Sequence, residues 1–587
     1  MKKLFSSVLG VVMVSTLLLS GCGKSNDASS ASPSASTAPS ASTAPSASAA
    51  PSASAAPEGI VNQGVIEASD PSKNPATATD RKDTLIIGVD APDGVFNPIY
   101  MESAYDQYVT YAMFNDLIQV AKDGTYAPWL ATKWDVSDDK LTYTFHLDPN
   151  ATFSDGTPLT ADDVAFTQTV LHDKSYDGPI DVAPAFLKGG DAYREGKATS
   201  IEGIKVIDAH TIQFTTTQIS PRALPLLGGS VLSKAYYGKG YKQGSLGYMK
   251  ELNQKPLGNG PYALTKYTAG QEVDLKINDH YYAKKPSIPN LIYKVTSEDT
   301  RMQMLQTGEV DMDMVTVNKD NVDELKGYGF LNIDIFPTNG YGYIAFNHKH
   351  DQFKDPKVRQ ALAYGLNRKD IVDAVYQGYA DVINVPQSKV SWAYADAPNK
   401  YEFDLEKAKT LLDEAGWKVG ADGIREKDGK KFKINFVASS PNPVNDAIIP
   451  IAKENYKALG IDFVPDQMEF NKVLEKKKSG DFDMLFMAWG LVADPDATDI
   501  FATKGSQNDV GYSNPKVDEL LAKGLTELDP EKRKPVYADL YKELNADLPY
   551  IFMYQRRDMW AINSRIQGFD LSPYKDFYLD LTNISIK

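Results

Sequence analysis

Apolar and polar positions along this chain fall into short, well-bounded runs, with one exception at the start. Residues 4–19 form a long apolar stretch headed by Met1-Lys2-Lys3. A charged start, a short apolar core and small residues at its end make the pattern of a secretory signal, and the stretch is shorter than the ~20 residues a spanning helix needs. Next, Pro33, Pro39, Pro45, Pro51 and Pro57 recur every six residues among Ser and Ala. Such a tract buries too little apolar area to offset ordering entropy, so residues 22–82 are expected to form an unfolded tether. As a coil it would reach about 40–45 Å.

Periodic order resumes near Asp83. Residues 84–89 read as a buried strand ended by Pro92-Asp93-Gly94 turn chemistry, and 141–147 alternate with the period of a half-buried strand. Thr160 is expected to cap a helix carrying Asp163 near its start. Asp355-Pro356 opens another, with Val358, Ala361, Leu362, Leu366 and Ile371 at helical spacing. A third starts at Asp404, places Ala408, Leu411, Leu412 and Ala415 on one face, and stops at Gly416. Strands and helices alternate throughout, which predicts an α/β protein.

Composition narrows the class. The 587 residues leave room for about three or four domains. With 62 Lys+Arg against 77 Asp+Glu the formal charge is −15, which argues against a nucleic-acid partner. One cysteine, Cys22, closes no intramolecular disulfide. Beyond residues 4–19 no long apolar run remains, which excludes a polytopic membrane protein.

Signs of chemistry are sparse. The H-E-x-x-H, G-x-S-x-G and G-x-x-x-x-G-K-[ST] patterns are missing from the sequence. His348 and His350 would share a face on a strand, but a third ligand is lacking apart from Asp351, so they read as surface histidines. Asp311/Asp313 and Asp481/Asp483 fall at strand spacing, where general acid/base pairs can sit, but they read as exposed strand faces. No catalytic residue, metal site or cofactor is assigned, and the enzyme reading is the weaker one.

Two resemblances add to this. Leu19-Ser20-Gly21-Cys22 looks like the lipobox of bacterial lipoproteins, which implies cleavage after residue 21, lipidation of Cys22 and a membrane anchor on the extracytoplasmic face. Two or more acyl chains hold a protein stably on a bilayer. Several blocks resemble family 5 of the bacterial extracellular solute-binding proteins, the oligopeptide, dipeptide and nickel receptors of ABC importers. They are Tyr126-Ala127-Pro128-Trp129-Leu130-Ala131 running on through Phe153-Ser154-Asp155-Gly156-Thr157-Pro158 to Val164, then Leu257-Gly258-Asn259-Gly260-Pro261-Tyr262. Val358-Arg359-Gln360-Ala361-Leu362, Leu366-Asn367-Arg368 and Phe482-Asp483-Met484 with Trp489 follow in the family's order.

That resemblance implies a two-lobe α/β clamp of the periplasmic-binding-protein type (class II) with a small extra domain. One lobe would comprise 83–118, 198–290 and 556–587, the extra domain 119–197, and the second lobe 291–555. It implies a monomer that closes on an oligopeptide and delivers it to a membrane permease. An oligosaccharide cargo, a cell-surface hydrolase and a sensor accessory stay open as alternatives. By the family's pattern Asn259 would touch the peptide backbone, with Tyr262 shaping the same wall. Trp489 would face the ligand. Relatives that bind free peptides often carry an aspartate three residues after this tryptophan to hold the terminal ammonium. Here that place is Val492, and the acids come at Asp494 and Asp496. Either an insertion moves Asp494 into the role or the ligand lacks a free amine. Asn97 and Tyr100, where the cleft would begin, and Tyr341 with Tyr343 on a second-lobe strand complete the candidates.

Overall fold

The computed structural model of the chain describes residues 61–587. The signal stretch, the Cys22 motif and the proline repeats lie outside the described residues. A mixed sheet of thirteen strands runs through the body. In its first half Thr84–Val89 is central, flanked in parallel by Asn290–Val295 and Met312–Met314. The hairpin of Tyr262–Thr268 and Glu272–Ile277 extends that half. In the second half Lys433–Ser439 lies parallel to both Asp462–Met468 and Met484–Gly490, and Gly340–Phe346 runs antiparallel to Met484–Gly490.

One strand serves both halves. Tyr550–Asn563 pairs first with Gly340–Phe346, then with Leu331–Pro337 and Met312–Met314. Leu331–Pro337 and Gly340–Phe346 are themselves consecutive, separated by Thr338-Asn339. The crossing is pinned by main-chain and side-chain bonds. Thr338 N donates to the Arg556 carbonyl (3.0 Å), while Gln555 Nε2 (2.8 Å) and Ser388 Oγ (3.0 Å) both donate to the Thr338 carbonyl.

Period-two patterning gives each half its core. On the long strand Trp560 and Ile562 pack with Leu85, Ile87, Tyr293 and Phe577, whereas Met559 and Ala561 face the other side with Leu305, Ile333 and Ile335. Tyr343, Phe346, Leu362, Phe436 and Leu485 centre the second half. A separate four-stranded sheet, in the order Ala131–Val136, Thr142–Leu147, Thr211–Thr215, Ile204–Asp208, carries its own core around Phe145, Val164 and Phe214.

The structure departs from the sequence expectations at identifiable points. Residues 61–82, read as tether, are folded onto the body. Gly64–Ile66 pairs antiparallel with Leu331–Pro337, Asp70 N donates to the Gly329 carbonyl (2.8 Å), and Arg557 Nε donates to the Asn62 carbonyl (3.0 Å). The run expected as one helix from Asp355 to Ile371 is two, Pro356–Tyr364 and Arg368–Tyr376, because Asn367 caps the second through Asp370 N. Residues 204–215 pair into the small sheet, beyond the expected boundary at 197. Likewise 291–337 pair with the first half of the large sheet, so the change of halves falls at Thr338-Asn339 and not at 291.

The acid pairs are also corrected. Asp311 is fully buried and accepts from Arg81 Nη2 (2.8 Å), Arg565 Nη2 (2.7 Å) and Ile86 N (2.9 Å). Asp313 is buried against Arg301 and Thr296. Neither is an exposed strand face, since burial of a carboxylate requires such partners. Asp483 is half-buried beside His350 (2.7 Å), whereas Asp481 is exposed with Lys476. His348 is packed against Tyr512 and held by the Pro549 carbonyl (3.0 Å); burial pushes it down to about 4.

Candidate cleft

Two adjoining cavities, about 800 Å³ and 430 Å³, open between the halves of the large sheet. Both are bordered by Tyr108, Tyr376, Arg556, Asp558 and Trp560. The shared strand explains this. Tyr554, Arg556, Asp558 and Trp560 alternate along Tyr550–Asn563, so all four side chains leave the same face just past the crossing.

The first wall carries charge. Arg556 Nη2 stands 3.4 Å from Asp558 Oδ1, two residues along the strand. Asp576, from the C-terminal segment, lines the same cavity, and among the described residues no Lys, Arg or His lies within ion-pair distance of it. Burial, then the nearby Asp558, pushes Asp576 up to about 6, and burial also raises Asp558 against the pull of Arg556. Deeper in, Arg301 bridges Asp90 (3.0 Å) and Asp313 (3.0 Å), and Tyr105 donates its hydroxyl to Asp90 (2.6 Å). Burial lifts Asp313 to about 6 despite Arg301. Gly88 is required here, because a Cβ would overlap the Asp313 carboxylate.

The second wall offers backbone. Met484–Gly490 pairs with Gly340–Phe346 along its length, but with Lys433–Ser439 only through Met484 and Leu485. One edge of 486–490 is thereby left unpaired, and these residues line the larger cavity. Lys433–Ser439 and Met484–Gly490 are parallel and both end at the cleft, the place where open α/β sheets bind ligands. Trp489 stacks on Tyr343 (6.0 Å, 7°), which stacks on Tyr550 (4.4 Å, 17°).

Of the sequence candidates, the structure brings Tyr341 and Trp489 together: they are opposite one another in the strand pair and both line the cavity. The others lie elsewhere. Asn259 is fully buried, accepting from Asn115 N (2.9 Å) and donating to the Asn115 carbonyl (3.3 Å), so it staples chain to chain. Tyr262 is buried with its hydroxyl on the Ile288 carbonyl (2.9 Å). Asn97 is buried and caps Ile99 N (3.2 Å); Tyr100 packs on Tyr176 with Lys250 above its ring. Asp494 is held by both terminal guanidinium nitrogens of Arg533 (2.6 and 2.9 Å), which occupies the carboxylate expected to meet an ammonium. Asp496 caps Thr498 N (3.0 Å). Sequence reading missed Tyr108, Arg556, Asp558, Trp560 and Asp576. The signal was available in Gln555-Arg556-Arg557-Asp558, a charged interruption in an otherwise apolar strand run.

The model of bacterial extracellular solute-binding proteins, family 5 Middle, matches residues 125–511. The oligopeptide-binding protein AppA of Bacillus subtilis is 29% identical over 530 residues, covering 88% of this chain and 94% of its own. The dipeptide-binding protein of Escherichia coli is 28% identical over 542 residues, covering 87% and 96%. Among solved structures, Bacillus subtilis AppA in complex with a nonapeptide superposes with TM-score 0.71 at 28% identity, covering 86% of this chain and 99% of that one. NikZ of Campylobacter jejuni with Ni(L-His) gives 0.70 at 26%, with the same coverage. The match spans more than half of the chain, the small sheet and the second-half strands Gly340–Phe346, Lys433–Ser439 and Met484–Gly490 included, and this protein belongs to the bacterial extracellular solute-binding proteins of family 5.

Proposed function

We propose that the chain captures oligopeptides in the interlobe cleft and delivers them to the permease of an ABC importer, held on the extracytoplasmic face of the cell membrane by lipid on Cys22. The observation that carries the peptide reading is the unpaired edge of 486–490 in the cavity. An extended peptide adds there as a strand, and main-chain hydrogen bonds accept any sequence. The charged wall of Arg556, Asp558 and Asp576 faces the same space and supplies partners for polar ends. The peptide-binding names of AppA and the Escherichia coli relative support the same cargo class.

Because the walls belong to lobes joined at Thr338 and Arg556, ligand touching both favours the closed arrangement over the open one. The test is a thermal-shift screen of mixed-length peptides against glycans and nickel-histidine, with native mass spectrometry of the purified protein. Peptides are expected to raise Tm and co-purify as a ladder. A response confined to glycans or to the metal complex, or cleavage of an offered peptide, overturns the reading. Lipidation is read separately, as the mass of the mature N-terminal fragment and its loss in Cys22→Ala.

A further inference from the structure

A smaller cavity, about 210 Å³, lies apart from the two that form the cleft. Its aromatic lining comes from three parts of the chain. Tyr111 comes from the helix Ala104–Met113, Tyr126 and Trp129 from and beside the strand Tyr126–Pro128, and Tyr574 and Tyr578 from the C-terminal segment. Tyr111 and Tyr578 are stacked at 5.0 Å. Among these rings stands Asp116.

Asp116 differs in its partners from the interior acids that an arginine holds. Asp311 has Arg81 and Arg565, Asp313 has Arg301, and Asp494 has Arg533. Asp116 accepts the hydroxyl of Ser230 and lies beside that of Tyr111, and among the described residues no Lys, Arg or His comes within ion-pair distance of it. Burial without a counter-charge pushes its carboxyl up to about 7. The backbone that presents it is fixed from outside. Asn259 clamps the main chain of Asn115, and Gly258 and Gly260 close on Met113, where a Cβ at Gly260 would stand 2.5 Å from the carbonyl carbon. The Gly258-Asn259-Gly260 motif thus sets the position of the neighbouring acid.

A carboxylate without a counterion, walled by aromatic faces, is the recognition chemistry of an organic ammonium. The ring faces carry the negative end of their quadrupole, and the acid supplies a full charge once a bound cation favours its ionised form. We propose that this cavity is a second binding site, taking an alkylammonium group against Asp116 between Tyr111, Tyr126, Trp129 and Tyr578. The group arrives as a small free cation or as the lysine-type side chain of a ligand in the neighbouring cleft. The C-terminal segment borders both spaces, with Asp576 on the cleft and Tyr574 and Tyr578 on the cavity.

Calorimetry and thermal shift on the mature chain decide this, using n-butylammonium and choline against the neutral isosteres n-butanol and 3,3-dimethylbutanol. A parallel arm compares Ala-Lys-Ala with its norleucine counterpart. If the site takes free cations, the ammonium compounds bind, the neutral ones do not, and Asp116→Asn weakens them by about thirtyfold or more. If it takes a side chain, lysine is preferred over norleucine and Asp116→Asn erases that preference while the norleucine peptide still binds. Should Asp116→Asn fail to fold, Tyr126→Leu carries the same comparison through loss of one ring face. The proposal is overturned if neither arm separates the cation from its neutral isostere, or if the separation survives unchanged in these variants. Cation binding without any peptide binding would leave this site standing and remove the peptide reading of the cleft.

Discussion

The two walls of the cleft are cut from one sheet and share a strand, yet they present different chemistry. On the side of Thr84–Val89 the cavity meets side-chain charge: Asp90, Arg301, Asp313, Arg556, Asp558 and Asp576. On the side of Met484–Gly490 it meets an open backbone edge and aromatic rings, while the acid of that lobe nearest in sequence, Asp494, is closed off by Arg533. A main-chain edge offers the same donors and acceptors to every residue of a ligand, whereas fixed charges discriminate between ligands. On the proposed reading, general affinity and selection are therefore housed on opposite sides of the hinge, and closure would combine them.

The largest expected effect tests whether Asp494 belongs to structure or to binding. Asp494→Ala strands the buried Arg533 guanidinium and is expected to cost about 3 kcal/mol in urea unfolding, with peptide Kd nearly unchanged. A collapse of affinity at constant stability would move charge recognition to the backbone wall and break the contrast. Next, Trp489→Ala removes aromatic surface from that wall and is expected to weaken peptide binding about tenfold, equally for ligands of every charge, by calorimetry.

Asp576→Asn sharpens the other side. Its carboxyl titrates at about 6 in the folded chain against 3.8 ordinarily, so the folded state holds the extra proton between these values. Stability of the parent chain therefore falls as pH rises through that window, and the substitution is expected to gain on the order of 1 kcal/mol near pH 8 and nothing near pH 3.5. Unlike Trp489→Ala, it should shift binding according to ligand charge. Smallest is Lys140→Ala, which breaks the 2.8 Å pair with Glu527 between the small sheet and the second lobe. Both side chains are about a third exposed, so the smallest stability change of the set is expected, vanishing in high salt.

Local signals in the sequence served the fold well where they were self-contained. Thr84–Val89 and Leu405–Glu414 form where the buried run and the Asp404 cap predict, because neither needs a distant partner to be recognised. The small helix break at Asn367 was hidden, since Leu366 and Ile371 keep helical spacing across it. Residues 61–82 carry little apolar area and fold by lending a strand to Leu331–Pro337, a partner that composition does not reveal. The cleft was the least legible part. Its charged wall joins Asp90, Arg301, Asp558 and Asp576, which only the shared strand brings together. Asn259 misled for the converse reason: an amide suited to a ligand's peptide group suits the chain's own, at Asn115.

The folded start of the chain has a mechanical consequence. The segment leading into the body is fastened at Asn62 to Arg557, one residue past the point where Thr338 meets Arg556. Tension arriving through residue 61 is thereby delivered next to the axle of the clamp, where its moment arm on either jaw is short. Under the proposed lipid anchoring, a chain hung from that point would be tugged or jostled by its mooring while the jaws keep their freedom to swing.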